Sequence, residues 1–202
     1  YETSTEEIST TARDILKQTD RVTRIVESLV NFSHTGSDTS DTRLGPCNLA
    51  DCVDEAIHLL SLDAQAKPVR FDNRCGRELV VLADSQRLLQ VFVNLLGNAR
   101  DACEPFGQVR ISAIAASGLT TISVEDEGCG IAPELQKRVF EPFFTTKDPG
   151  EGTGLGLALA YSIMEDMGGS IDLTSPVDHT SETGTRVNLR LQPADYGEAF
   201  DV

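Results

Sequence analysis

Apolar residues recur every seven positions near the start of the chain, at Ile8, Ile15, Val22 and Leu29. Ala12, Ile25, Val26 and Phe32 widen the stripe, and no Gly or Pro interrupts it, so the pattern predicts one long helix over about 6–34. Such a stripe is a bundle seam and needs a second helix to cover it. The sequence holds no second helix of similar length, so the partner is expected from another copy or from a segment upstream. A polar stretch, Thr35-Gly36-Ser37-Asp38-Thr39-Ser40-Asp41-Thr42, has no periodicity and predicts a linker.

Beyond the linker the pattern changes to that of a mixed α/β domain. Leu49, Val53, Ala56, Ile57 and Leu60 share one face of a helix over 49–64. Short strands follow at 69–71 and 79–82. A helix over 84–103 buries Leu88, Leu89, Val91, Phe92, Leu95, Leu96 and Ala99. Strands at 108–115 and 119–125 form a hairpin across Ser117-Gly118. A short helix is expected after Pro133, where proline suits a first helical turn. A glycine-rich stretch over 150–156 leads into a helix over 155–167, which stops at Gly168-Gly169. Strands at 170–175 and 184–191 close the domain.

Composition narrows the partners. The formal charge is −15 over 202 residues, which disfavours nucleic acid and anionic membranes. A phosphate ligand would have to be held locally, by backbone N–H groups, a helix N-terminus, a lysine and a divalent cation. Five cysteines, with no CxxC pair, argue against a disulfide framework or a structural zinc. No run of about 18 apolar residues is present. The chain begins with Tyr1, so it reads as a piece of something longer.

Several phosphate-handling and hydrolytic signatures are missing: no GxxxxGK[ST], no GxGxxG after a strand, no HExxH and no GxSxG. What remains is an ordered set. Asn94 and Asn98 lie four apart, on one face of a helix whose other face is apolar. Alone, that pair is equally a surface or capping feature. Val124-Glu125-Asp126-Glu127-Gly128-Cys129-Gly130 is a strand entering a turn, where a carboxylate can accept from the exocyclic amine of adenine. Guanine presents a carbonyl there, which Asp126 would repel. Glu141-Pro142-Phe143-Phe144-Thr145-Thr146-Lys147 follows. Then come four glycines in seven residues, Gly150, Gly152, Gly154 and Gly156, too many for a simple turn and suited to a lid that wraps phosphates.

In this order and spacing, the set resembles the catalytic, ATP-binding domain of sensor histidine kinases, within the superfamily that also includes gyrase and MutL. Asn94 and Asn98 match its N box, and Asp126, Gly128 and Gly130 its first glycine box. Residues 140–147 match its F box, in the PFFTTK form of the nitrogen- and dicarboxylate-sensing branch. Gly152 to Leu157 match its second glycine box. The resemblance covers about residues 45–192. It implies a two-layer α/β (α+β) sandwich of the Bergerat type, a mixed sheet covered on one face by helices. It further implies ATP and Mg²⁺ as ligands, with Asn98 on the metal and Asn94 beside the phosphates. Asp126 would hold the adenine amine, and Gly130 would line the base pocket, with Gly128 and Ile131 in the same nucleotide-binding set. Phe144, Thr145, Thr146, Lys147, Gly152, Thr153, Gly154, Leu155, Gly156 and Leu157 form the lid side, and Thr185 lies near the base. Asn94, Asn98 and Lys147 are the expected catalytic residues. Asp101 also belongs to the nucleotide set, and it marks a departure. Some members carry Lys or Arg there, so the basic phosphate contact is expected to shift to Lys147.

The first helix resembles the second helix of the family's dimerisation hairpin. The expected organisation is therefore residues 1–36 as an incomplete hairpin, 37–46 as linker, 47–192 as the ATP-binding domain and 193–202 as tail. The family's phosphoacceptor His is followed by an acidic residue. His34, His58 and His179 precede Thr35, Leu59 and Thr180 instead. The fragment is thus expected to bind Mg-ATP without phosphorylating itself. Its partners would be the missing phosphoacceptor helix, a response regulator and, in the full-length protein, a second copy, all on the cytoplasmic side. A water-activating ATPase of the same superfamily typically has Glu where Asn94 stands, and Asn cannot serve as that base. A non-catalytic dimerisation or regulatory module is the other alternative, against which Asn98, Asp126 and the glycine boxes argue.

Overall fold

The computed structural model describes residues 8–12, 15, 19, 43–63, 66–148, 152–177 and 183–194. Within the first segment the described residues are helical and exposed, including Ile8 and Ile15, the first two positions of the seven-residue stripe. The rest of that stripe, the 35–42 linker and the C-terminal tail after 194 lie outside the described residues.

Among the described residues, seven strands and three helices make up the domain. In chain order they are β1 (Gly45–Asn48), α1 (Leu49–Ser61), β2 (Arg70–Asn73), β3 (Val80–Ala83), α2 (Ser85–Ala102), β4 (Gln108–Ala116), β5 (Leu119–Asp126), α3 (Gly156–Asp166), β6 (Ser170–Thr174) and β7 (Thr185–Leu191). The main sheet has the order β2-β4-β5-β7-β6 and is mixed, because β2 runs parallel to β4 while the other pairs are antiparallel. β1 and β3 form a separate antiparallel pair. The β4–β5 turn has positive φ at both Ser117 (54°) and Gly118 (77°), as the right-handed twist of a two-residue hairpin demands.

One face of the sheet carries the core. Val109, Ile111, Ile122, Val124 and Leu189 point inward against Val53 and Ala56 of α1, Leu88, Phe92, Leu95 and Leu96 of α2, and Ile163 and Met164 of α3. The strand alternation leaves Arg110, Glu125 and Arg186 in register across the opposite face, where Arg186 pairs with Glu125 at 2.8 Å. This is the two-layer arrangement expected from sequence. No helix among the described residues is long and apolar enough to cross a membrane.

The short helix expected after Pro133 forms as a run of turns over 133–140, with single bonds such as Leu135 N–H to Ala132 O (2.9 Å) and Val139 N–H to Leu135 O (3.1 Å). So short a segment makes too few i→i−4 bonds to offset helix nucleation. β1 has no counterpart in the sequence reading. Its four residues include Pro46, which an edge strand tolerates and a central one does not.

Candidate functional site

α2 supplies one wall. Asp84 caps it, its Oδ1 accepting from the N–H groups of Gln86 and Arg87, both at 3.1 Å. With Leu88, Phe92 and Leu95 buried, Asn94, Asn98 and Asp101 fall together on the less buried side at helical spacing. Asn94 Nδ2 is buried and has no hydrogen-bond partner, an arrangement that proteins tolerate where a ligand completes it. Arg100 points elsewhere, its Nη1 donating to Leu60 O of α1 at 3.2 Å.

α3 packs alongside α2 and brings its N-terminus to this wall. A Cβ on Gly156, its first residue, would stand 3.4 Å from Asn94 Oδ1 and 3.8 Å from Asn98 Nδ2. No side chain caps this helix N-terminus, so its first-turn amides are left for other acceptors. The Arg87–Asp166 ion pair, at 2.5 Å and with both side chains mostly buried, ties the start of α2 to the end of α3.

The turn after β5 forms the far end. Asp126 is only 9% exposed, and its Oδ1 accepts from Gly128 N–H (2.9 Å) and Thr185 N–H (3.2 Å). Both bonds fall on one oxygen. Burial pushes the Asp126 carboxyl above the ordinary aspartate value, and the two backbone donors offset part of that rise. Gly128 presses on the C-terminus of α2, where a Cβ would stand 2.7 Å from that of Ala102. Cys129 N–H donates to Ala102 O at 3.3 Å. Lys67 Nζ donates to the carbonyls of Asp101 (2.9 Å) and Cys103 (2.6 Å), closing the same helix end.

The segment 140–147 and the glycine stretch make the third side. Phe143 and Gly154 both have positive φ, 68° and 66°, and Phe143 N–H donates to Gly154 O at 2.9 Å. A Cβ on Gly154 would lie 2.4 Å from the carbonyl carbon of Phe143, so only glycine fits. The Arg138 guanidinium covers the Phe144 ring at 4.5 Å. Thr145 Oγ1 accepts from Lys147 N–H at 3.1 Å and fills the place a Gly152 side chain would take. Lys147 reaches across to Asp101, Nζ to Oδ2 at 2.5 Å. Thr153 Oγ1 accepts from Leu155 N–H at 3.3 Å.

The structure thus gathers the sequence-derived residues onto three sides of one cleft. Thr146 is exposed on the 140–147 side, Ile131 lies in the turn after β5 (the base turn, for its place at the base of the β5–β7 pair), and Thr185 begins β7 beside it. Leu155 is buried and Leu157 packs on the core, so these two can offer a ligand only their backbone. Residues 149–151 lie outside the described set. A separate cavity of about 290 Å³ opens by Arg110, Glu125 and Arg186; of the expected residues only Asp126 borders it. Sequence reasoning missed Ser175, Gln136 and Gly184, which brace the base turn, and Lys67, because their roles rest on contacts between distant loops.

Residues 83–195 match the family described as histidine kinase-, DNA gyrase B- and HSP90-like ATPase. The sensor histidine kinase ZraS of Salmonella typhimurium (strain LT2) is 35% identical over 166 residues, covering 81% of this chain and 34% of that protein. The chain therefore spans about a third of that curated relative. Full-length ShkA, solved in complex with AMPPNP, superposes with a TM-score of 0.77 at 26% identity, over 96% of this chain and 40% of that one. The catalytic domain of the histidine kinase ThkA superposes at 0.62 and 30% identity, over 74% of this chain and 95% of that one. ThkA has also been solved in complex with the response regulator protein TrrA.

Proposed function

Because the chain belongs to the family of histidine kinase-, DNA gyrase B- and HSP90-like ATPases, as an ATP-binding domain of the histidine kinase type, we propose that it serves as the ATP-binding catalytic part of a sensor histidine kinase. In this reading Mg-ATP lies in the cleft with its base at Asp126 and its phosphates between α2 and the N-terminus of α3. The observation that carries it is the approach of Gly156 to Asn94 and Asn98, which sets uncapped helix amides against two carboxamides.

The residues divide the work. The free oxygen of Asp126 accepts from the adenine amine, while Gly128, Gly130, Ile131 and Thr185 enclose the base. Thr145, Thr146, Lys147 and the amides of residues 152–157 close on the phosphates, with Phe144 supporting them. Asn98 would hold Mg²⁺, since its carboxamide oxygen is a hard donor of the kind this cation accepts beside phosphate and water. When bound, the cation would neutralise charge on the transferring group. Asn94 orients the same phosphates through its otherwise unpaired amide.

The phosphoryl acceptor is an imidazole nitrogen outside this chain. It attacks the γ-phosphorus, the bond to the bridging β-oxygen breaks, and ADP leaves with that electron pair. The phosphohistidine then passes its group to an aspartate of a response regulator. Asn94 stands where a water-activating ATPase of this superfamily typically has Glu and cannot serve as that base, which favours kinase over ATPase chemistry. His58, the one histidine among the described residues, is an exposed residue on α1. In this proposal residues 1–36 serve dimerisation and the following stretch links them to a domain that the β1–β3 pairing and the Val81–Pro193 bridge extend to about 45–194; the remainder is tail, and the whole works on the cytoplasmic side as a homodimer.

Incubation with γ-labelled ATP tests this. The fragment alone should stay unlabelled, and adding a phosphoacceptor helix bearing His followed by Glu or Asp should give acid-labile, base-stable label. Absence of ATP binding at millimolar nucleotide, measured by calorimetry, would overturn the reading.

A further inference from the structure

The base turn is braced from outside the cleft. Ser175, 7% exposed and just beyond β6, sits between two backbone groups. Its Oγ accepts from Ile131 N–H at 2.8 Å and donates to Gly184 O at 2.8 Å. Gln136 Nε2 donates to both Ile131 O (3.0 Å) and Ser175 O (2.5 Å). Gly184 N–H donates in turn to Gly128 O at 2.8 Å, and the next residue, Thr185, donates to Asp126.

These bonds leave the turn little freedom. Gly130 has φ 77°, and a Cβ there would stand 3.1 Å from Ser175 Oγ. Gly184 has φ 85°, and a Cβ there would stand 2.7 Å from Asp126 O. The backbone on both sides of the Asp126 carboxylate is therefore fixed by residues 175, 184 and 185.

We infer that Ser175 is a positioning residue for base recognition: it never meets the nucleotide, and it sets the angle at which the 126–131 turn presents Asp126 and Ile131 to adenine. This rests on the adenine-binding reading above. Ser175→Ala removes a partner from a part-buried N–H and from a buried carbonyl, so the turn must shift to rehydrate them. Among the described residues, none on α2, α3 or the 140–157 stretch bonds to Ser175.

Competition binding on the 202-residue chain, with a fluorescent ATP analogue displaced by ATP, GTP or inorganic tripolyphosphate, reads this out. Ser175→Ala should weaken ATP about fivefold or more and compress the ATP-over-GTP preference, leaving tripolyphosphate unchanged. Ser175→Thr, which keeps the hydroxyl, should restore the preference. Gln136→Leu, a change on a half-buried side chain, should reproduce the selective loss if Ser175→Ala does not fold. An unchanged ATP-over-GTP ratio in both variants overturns the inference, as does an equal weakening of all three competitors. Failure of the unmodified chain to bind ATP would instead remove the adenine reading itself.

Discussion

Lys147 and Asp101, 46 residues apart, meet at 2.5 Å between Nζ and Oδ2, and this contact joins the 140–147 segment to the helix that carries Asn94 and Asn98. Both side chains are over a third exposed, at 34% and 44%, which places the pair among those that contribute little to stability. In the proposed nucleotide site its effect would fall on the ligand, because a phosphate there must share or displace an ammonium already paired with a carboxylate. Asp101→Asn should tighten ATP by about twofold to fivefold, most at low salt, and Lys147→Gln should weaken it by about threefold to tenfold. In the Lys147→Gln background the gain from Asp101→Asn should largely vanish. Equal gains in both backgrounds, in the same calorimetric titration, would show plain charge repulsion in place of competition for the lysine.

Asp126→Asn separates recognition from folding. The asparagine oxygen can still accept from Gly128 and Thr185, whereas its NH₂ would face the adenine amine donor to donor. ATP affinity should fall about tenfold or more with the melting temperature kept or raised.

The pH dependence follows from the raised carboxyl pKa of Asp126, whose chief cause is burial. The folded chain holds this proton more firmly than the unfolded one. The associated stability is fully present below the unfolded value and is lost as pH rises through the folded value. Asp126→Asn removes that penalty at neutral pH. Under the proposed adenine contact, which needs the carboxylate, binding has the opposite sense. ATP affinity should fall as pH drops through a value above that of an ordinary aspartate. In Asp126→Asn that step should be missing from a pH series of titrations.

The proposed phosphate contact of Asn94 predicts a trade of stability for binding. Its Nδ2 is buried and unpartnered, an arrangement that costs about 1–3 kcal/mol. Asn94→Ala should leave denaturant stability unchanged or higher while reducing ATP affinity. A loss of more than about 1 kcal/mol in urea unfolding would mean that the carboxamide is structurally satisfied.

Much of this fold is visible in the chain before folding. The period of Leu88, Phe92, Leu95 and Ala99 fixes which side of α2 is buried, and that alone brings Asn94, Asn98 and Asp101 together on the remaining side. Gly128 and Gly154 also announce themselves, since a backbone approach under 3 Å leaves room for no other residue. Ser175 does not. A serine after a strand is ordinary, and its importance comes from Ile131 and Gly184, 44 and 9 residues away. Lys67 is hidden for the same reason, its carbonyl partners lying 34 and 36 residues on. Local pattern encodes periodic burial and tight turns, whereas bonds between loops depend on a packing that no local window contains.

The back-to-back left-handed residues Phe143 and Gly154 have a consequence for how such domains can be recombined. Residue 154 is acceptable only as glycine, since the Phe143 carbonyl carbon occupies the volume of a side chain there, and Phe143 N–H bonds back to Gly154 O. A stretch exchanged between relatives here should therefore be cut outside both positions, carrying 143 and 154 as one cassette. A junction placed between them would inherit half of a lock. Natural drift faces the same constraint, so length changes in this region are expected inside the span these two residues close off.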